Sequence, residues 1–315
     1  MNPVPWLLAL TLGIAAAAGE PPAAWRTEFA YERSDFAAEV REQPGNGGVK
    51  HFRVTYPSPV ETVVPENNTV HAHLLEPAER TGASVIILPI WKGRGLDLEL
   101  MVAQRLASRG ITAMIVVLPY QFDRAPEGKR TGELTVSSDL ERTKSAVVQA
   151  VKDVKRAAQW LEETREADRA RMGIMGTSLG GHIAGLIWAT DRSFRAGATV
   201  LAGGNIHELF WNGSNETKDI KKELQARGVT LADLAAVMKP YDPATWATPE
   251  RGEGLLMIGA LDDPVVPMGN VRALRDAFGG PRLVTYPGTH TTVALRIADI
   301  LDDLSGHFER ELLAR

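Results

Sequence analysis

Apolar and polar residues follow two different rhythms along the chain. In residues 26–78, short extended stretches such as 52–56 and 69–75 are separated by turn residues, which predicts a leading antiparallel ribbon. After this ribbon, apolar segments of strand length are separated by segments of helix length, an order typical of a parallel sheet with crossover helices. We therefore predict an α/β fold with a mostly parallel central sheet and helices on both faces.

The individual elements of the parallel part can be placed from these rhythms. The predicted strands are residues 84–88, 113–118, 172–175, 198–201, 255–258 and 282–286. The predicted helices are residues 96–108, 139–163, 179–190, 269–278 and 292–313. Continuous apolar runs such as the first of these strands are typical of strands buried on both faces of a sheet.

One segment interrupts the alternation of strands and helices. Residues 204–253 begin with an aromatic and polar loop and continue as a mostly helical stretch before the strand at 255–258. An insertion at this point of a parallel sheet lies over the carboxyl edge of the strands, so we predict that it is a lid. We interpret residues 20–315, with this insertion included, as a single domain.

Composition and charge exclude several classes of function. The chain has 315 residues, of which 44% are hydrophobic, enough for one large core. Its 35 basic and 39 acidic residues give a net charge of −4 with no dense basic stripe, so we expect no nucleic-acid partner. The absence of cysteine excludes disulfides, thiolate metal sites and a cysteine nucleophile.

The N-terminus has the form of an export signal. Residues 6–14 are an apolar run and residues 15–18 are alanines, a pattern that predicts a signal peptide over residues 1–19. The run is short for a membrane span. We therefore expect an exported protein without stable membrane insertion after cleavage, although an uncleaved anchor is an alternative.

A nucleophile motif follows the predicted strand at 172–175. The sequence Gly-Thr-Ser-Leu-Gly at positions 176–180 joins this strand to the next predicted helix. In this context, a strained strand-to-helix turn lifts the hydroxyl of Ser178 above the edge of the sheet. The amides at the start of the helix would favour negative charge beside it.

Two further groups follow later strands. The sequence from Gly259 to Pro267 places Asp262 and Asp263 in a loop after a strand, and His290 follows the last predicted strand. The chain order serine, aspartate, histidine, each after a separate strand, is that of the α/β-hydrolases. From residue 84 onwards the chain resembles this superfamily, in particular its dienelactone-hydrolase-like and acetyl-esterase-like bacterial branches.

The resemblance and the chemistry of the side chains imply a catalytic triad. Ser178 would attack a carbonyl carbon, and His290 would take the proton of its hydroxyl. A carboxylate would orient and stabilise the imidazole. Counting from Gly259 favours Asp262 for this role and counting back from Pro267 favours Asp263. We place Asp262 first and keep Asp263 as the alternative.

An oxyanion hole needs two amides that point at the developing negative charge. The N–H of Leu179, which follows the nucleophile, is expected to supply one. The second is expected from the loop after the strand at 84–88. Related proteins commonly have a His-Gly pair in this loop, whereas this chain has Pro89, Ile90 and Trp91, and by position Trp91 is our candidate.

These observations predict a serine hydrolase that cleaves a small-molecule carboxylic ester through an acyl-enzyme, with no metal and no organic cofactor. A peptidase, amidase or thioesterase would use the same triad. An alternative of another class is a binding protein that keeps the fold without catalysis, although such a protein would not need all three triad residues. The sequence leaves the oligomeric state open.

Overall fold

We describe the architecture from a computed structural model, which covers residues 21–212 and 217–314. The predicted signal peptide lies outside these residues. The strands are β1 (Glu39–Asn46), β2 (Val49–Pro57), β3 (Thr69–Glu76), β4 (Ser84–Leu88), β5 (Thr112–Val116), β6 (Met172–Thr177), β7 (Ala196–Val200), β8 (Leu255–Ala260) and β9 (Arg282–Tyr286).

The helices alternate with the later strands. They are α1 (Ala23–Glu28), α2 (Asp97–Ala107), α3 (Leu140–Arg165), α4 (Leu179–Thr190), α5 (Ile206–Asn212), α6 (Lys218–Ala226), α7 (Leu231–Met238), α8 (Pro243–Trp246), α9 (Met268–Ala277) and α10 (Ile297–Leu312). Within the described ranges, no helix is both long enough and apolar enough to cross a membrane.

The strands form one sheet with the spatial order β1-β2-β3-β5-β4-β6-β7-β8-β9. β1, β2 and β3 pair antiparallel, β3 also pairs antiparallel with β5, and every later pairing is parallel. The predicted mostly parallel α/β fold is confirmed. β6 lies near the middle of the parallel part, so its carboxyl end is surrounded by other strand ends.

Two apolar layers cover the two faces of this sheet. Along β4, Val85 and Ile87 belong to one buried cluster, while Ile86 and Leu88 belong to the other, as the alternation of side chains in a strand requires. The first cluster contains residues of α2 and α10, and the second contains residues of α3, α4 and α9. The core therefore holds the sheet between two helical layers.

Several predicted boundaries shift by a few residues. The strand predicted at 113–118 is β5, which ends at Val116. The helix predicted at 292–313 begins as a 3₁₀ turn, Thr292–Arg296, and α10 starts only at Ile297. The short helix α1 was not predicted because it contains no buried residue and therefore no apolar periodicity to detect.

The segment predicted as an insertion is helical in the part that the structure describes. It contains α5, α6, α7 and α8, and α5 contacts both α6 and α7. Contacts to α3 and the loop before it fix this segment to the body of the protein: Ser138 hydrogen-bonds to the Glu223 carboxylate, and the Arg227 guanidinium donates to the Ser138 carbonyl at 3.2 Å.

Candidate active site

Ser178 lies in the sharp turn between β6 and α4. Its backbone has φ +54° and ψ −116°, a strained conformation that a residue with a side chain rarely adopts. Its N–H donates to the Val200 carbonyl at 2.8 Å. The side chain makes no capping bond to α4, so the hydroxyl is free for other contacts. The turn therefore holds Ser178 at the carboxyl end of the central strand.

Two glycines make this turn possible. A Cβ atom on Gly176 would lie 2.2 Å from the Gly180 carbonyl oxygen, and one on Gly180 would lie 2.3 Å from the carbonyl oxygen of Leu88. Both distances are far below van der Waals contact, and the atoms in the way are backbone. Only glycine allows α4 to start this close to β4 and β6.

Ser178, His290 and Asp263 form a continuous hydrogen-bonded chain. Nε2 of His290 lies 2.9 Å from Oγ of Ser178, and Nδ1 of the same ring lies 2.7 Å from Oδ2 of Asp263. The Asp263 side chain is fully buried, and its other oxygen accepts from the Val265 and Val266 amides at 2.7 and 3.0 Å. The carboxylate is thus fixed on both oxygens.

The preference for Asp262 over Asp263 as the partner of His290 is wrong. β8 ends at Ala260, but its pairing continues: the Leu261 N–H donates to Tyr286 and the Asp262 N–H donates to Gly288. Asp262 is therefore held by its backbone at the edge of the sheet, in a turn that leaves its side chain exposed, whereas the side chain of Asp263 is buried. Asp263 also caps the segment that follows it, through the Val265 and Val266 amides.

A second histidine contacts the same turn from inside helix α4. Nδ1 of His182 lies 2.8 Å from the Ser178 carbonyl oxygen, and the Gly203 N–H donates to its Nε2 at 3.2 Å. Because Nε2 accepts, the proton is on Nδ1, and the ring is neutral. Burial is the main cause that lowers the pKa of His182, to about 4. His182 therefore supports the turn, and its ring nitrogens are both occupied.

Leu179 and Trp91, whose amides are the predicted oxyanion donors, line the same cavity as Ser178 and His290. Leu179 is the first residue of α4, so its N–H has no acceptor within the helix. Trp91 lies in the loop after β4, where its indole N–H donates to the Gly132 carbonyl at 2.8 Å and fixes the ring. The preceding amide, that of Ile90, is already bound to the Glu99 carboxylate at 3.1 Å.

The cavity beside Ser178 has a volume of about 460 Å³, and most of its wall is apolar. The insertion contributes to this wall through α5, α7 and the residues that follow α7, including Leu209, Phe210 and Tyr241. The segment predicted as a lid therefore covers one side of the cavity that contains the serine.

Comparisons with known proteins agree with this architecture. Residues 142–289 match the model of the Prolyl oligopeptidase family. An acetyl xylan esterase from a Paenibacillus species superposes with a TM-score of 0.67 at 18% identity, covering 90% of this chain and 91% of that one. A Mycobacterium tuberculosis puromycin-hydrolyzing peptidase superposes with a TM-score of 0.60 at 17% identity, covering 87% and 46% of the two chains.

The fold is that of the α/β-hydrolase superfamily. The predicted resemblance to this superfamily is confirmed, whereas its assignment to the dienelactone-hydrolase-like and acetyl-esterase-like branches stays a prediction. An uncharacterized protein of M. tuberculosis is 27% identical over 227 residues, which are 71% of this chain and 53% of the relative. The chain thus spans about half the length of the curated relative that it matches.

One group near the site was missed from the sequence. Glu99 is buried, and burial raises the pKa of its carboxyl. The residue shares a face of α2 with Val102, Ala103 and Leu106, all buried. A carboxylate at a helical spacing of three, four and seven from apolar residues is a signal that could have identified it.

Proposed function

We propose that this protein is a serine hydrolase that cleaves carboxylic esters through an acyl-enzyme, with Ser178 as nucleophile, His290 as general base and Asp263 as the acid of the triad. The observation that carries the proposal is the hydrogen-bonded chain from Ser178 Oγ through the His290 ring to Asp263. This chain lies at a strained turn beside a cavity, which is the arrangement that activates a serine hydroxyl.

The first half of the reaction transfers the acyl group to the protein. Ser178 Oγ attacks the carbonyl carbon while its proton passes to Nε2 of His290. The carbonyl oxygen becomes negative and is stabilised by the amides of Leu179 and Trp91. When the tetrahedral intermediate collapses, the bond to the alcohol oxygen breaks, and that oxygen takes the proton from His290.

The second half returns the protein to its starting state. Water attacks the acyl carbon and gives a proton to His290, the bond to Ser178 Oγ breaks, and Oγ takes the proton back. Asp263 accepts a hydrogen bond from Nδ1 throughout, which keeps Nε2 directed at the serine and stabilises the protonated ring.

A peptidase is the second candidate, and the match to the Prolyl oligopeptidase family supports it. Selection of a peptide terminus requires a charged partner, and among the residues that the structure describes, none of those that line the cavity beside Ser178 is a lysine, arginine, aspartate or glutamate. The lining therefore favours an uncharged ester over a peptide terminus.

Reaction with a fluorophosphonate probe, followed by mass spectrometry, tests the proposed nucleophile. We expect an adduct on Ser178 and a strong loss of labelling in His290→Ala, since the hydroxyl then lacks a base. Ser178→Ala should keep its circular dichroism spectrum and lose ester turnover. An undiminished turnover in Ser178→Ala would reject the assignment.

We further propose that the protein is exported and that residues 1–19 are removed. The apolar run at 6–14 and the alanines that follow it support this proposal. The N-terminus of protein isolated from the source cells would show it: a mature start near residue 20 agrees with export, and an intact start at Met1 in a cytoplasmic fraction contradicts it.

A further inference from the structure

The cavity beside Ser178 is lined from both faces of the sheet. One part, which we call the insertion lobe, belongs with the α3 and α4 layer and the inserted helices: Val147, Ile183, Leu186, Leu209, Phe210 and Met238. The other part, the α10 lobe, lies with the α2 and α10 layer: Val102, Val293, Ala294, Ile297, Ile300 and Leu304. Because Ser178 follows the central strand β6, the cavity passes from one face to the other beside the nucleophile.

Both lobes are mostly apolar, and three of the polar groups in the wall are already hydrogen-bonded within the protein. The Thr143 hydroxyl bonds to the backbone of Ser137, and the Thr217 hydroxyl donates to the Leu209 carbonyl at 3.0 Å. Both ring nitrogens of His182 are occupied as well. A sugar or a charged group in either lobe would lose its hydration without gaining a partner.

The size of the cavity indicates which acyl lengths it can hold. Cavities of about 300 to 1,000 Å³ enclose most of a drug-sized ligand, and this one measures about 460 Å³. An acetyl group would leave most of the apolar wall in contact with water. Each methylene that replaces this water contributes roughly 0.8 kcal/mol, so longer acyl groups bind better until a lobe is filled.

We propose that the two lobes select uncharged esters that are apolar on both sides of the ester bond, with acyl groups of medium length rather than acetyl groups. This inference rests on the proposed serine hydrolase function, because the lobes become acyl and alcohol sites only if Ser178 is the nucleophile. It assigns substrate selection to residues of α5 and of the segment between His290 and α10.

The first test compares nitrophenyl acetate, butyrate, hexanoate and octanoate on the wild-type protein. We expect kcat/KM to increase by roughly tenfold for each pair of methylenes added, up to the length at which a lobe is filled. An optimum at acetate, with a steady decrease for longer chains, would overturn the proposal.

A charged ester provides the second comparison. A nitrophenyl ester of an adipate monoanion has nearly the length of the hexanoate ester but carries a carboxylate. The part of the wall that the structure describes has no cationic side chain, so we expect the kcat/KM of this ester to be at least about a hundredfold lower than that of the hexanoate. Equal rates for the two esters would contradict an apolar acyl site.

Two pairs of variants test the lobes separately. Leu209→Trp narrows the insertion lobe, and Leu231→Trp makes the same change at an exposed position of α7 that does not line the cavity. Ala294→Phe narrows the α10 lobe, and Ala298→Phe is its control, because Ala298 is exposed and lies outside the lining.

The readout is the ratio of kcat/KM for octanoate to that for acetate. We expect a decrease of about tenfold or more in whichever lobe variant narrows the acyl site, and no change in either control. A folding defect would lower the rates for all esters together and leave the ratio unchanged. An unchanged ratio in both lobe variants, at rates for acetate close to that of the wild-type protein, would overturn the proposal.

Fluorophosphonate labelling distinguishes a failure of the proposed hydrolase function from a failure of the proposed substrate preference. If Ser178 is labelled and acetate is still the preferred ester, the proposed hydrolase function stands and the substrate inference fails. If Ser178 is not labelled and no ester is cleaved by folded protein, both fail together. Labelling with a preference for hexanoate or octanoate supports both.

Discussion

At the scale of single residues, sequence and structure disagree on the aspartate of the proposed triad. Both aspartates follow β8, and only the geometry of the turn distinguishes them. Asp263 is buried and bonded to His290, whereas the side chain of Asp262 is exposed. Their neutral amide variants therefore form a matched pair.

We expect Asp263→Asn to lower kcat for a nitrophenyl ester by about a thousandfold or more, since the imidazole then loses the group that fixes its tautomer and stabilises its charge. Asp262→Asn should change kcat by less than about twofold, as expected for a surface substitution. Comparable losses of kcat in both variants would show that activity requires the conformation of the turn rather than the Asp263 carboxylate alone.

The sequence predicted Ser178 and His290 but placed Asp262 ahead of Asp263, which is the aspartate that contacts His290. Ser178 is marked by glycines that a tight turn requires, and His290 by its place after the last strand. No local sequence pattern distinguishes the two adjacent aspartates. The backbone hydrogen bonds that continue through Asp262 are made to Tyr286 and Gly288, which belong to a later segment of the chain. Long-range pairing of this kind is not encoded in a local pattern.

At the scale of elements, the loop after β4 depends on a contact from α2. The buried Glu99 carboxylate accepts a hydrogen bond from the Ile90 amide, so it holds the loop that carries the Trp91 amide. Glu99 does not reach the cavity wall and acts only through this backbone, as a positioning residue.

We expect Glu99→Ala to lower kcat by about tenfold with a smaller effect on KM, because a looser oxyanion amide stabilises the transition state less. Glu99→Gln keeps an oxygen that can accept from Ile90, and it removes a buried charge. It should therefore retain most of the activity. Steady-state kinetics on both variants gives the comparison, and equal losses would show that charge rather than loop position is required.

Element bounds were predictable where a strand or helix has one apolar pattern along its length. α4 and β9 agree with the prediction at both ends. The insertion could be recognised only as an interruption, because the division into α5 to α8 depends on packing over the cavity and not on a repeated pattern.

At the scale of the whole molecule, buried histidines link stability to pH. His307 of α10 is buried and hydrogen-bonds to the Gly197 carbonyl of β7 at 3.0 Å. Burial lowers its pKa to about 4, and burial likewise lowers the pKa of His73 to about 4. Each is therefore neutral in the folded protein at pH values where the unfolded chain already binds a proton.

The unfolded state binds more protons than the folded state between about pH 6.5 and pH 4, so the free energy of unfolding falls as the pH falls through this window. For His307 we expect a loss of roughly 2 to 3 kcal/mol across it. His307→Gln can still donate to the Gly197 carbonyl but does not titrate.

Urea unfolding at several pH values would show a smaller decrease in this variant than in the wild-type protein. Parallel curves for the two proteins would exclude His307 as a source of the pH dependence.

The proposed function requires that an acyl group is transferred to Ser178. The most direct measurement is rapid-quench mass spectrometry of the protein during turnover of nitrophenyl butyrate, with peptide mapping of any adduct. We predict a transient butyryl group on Ser178 that forms with a burst of nitrophenol and is absent in Ser178→Ala. Turnover without a burst and without an adduct on Ser178 would contradict the acyl-enzyme mechanism.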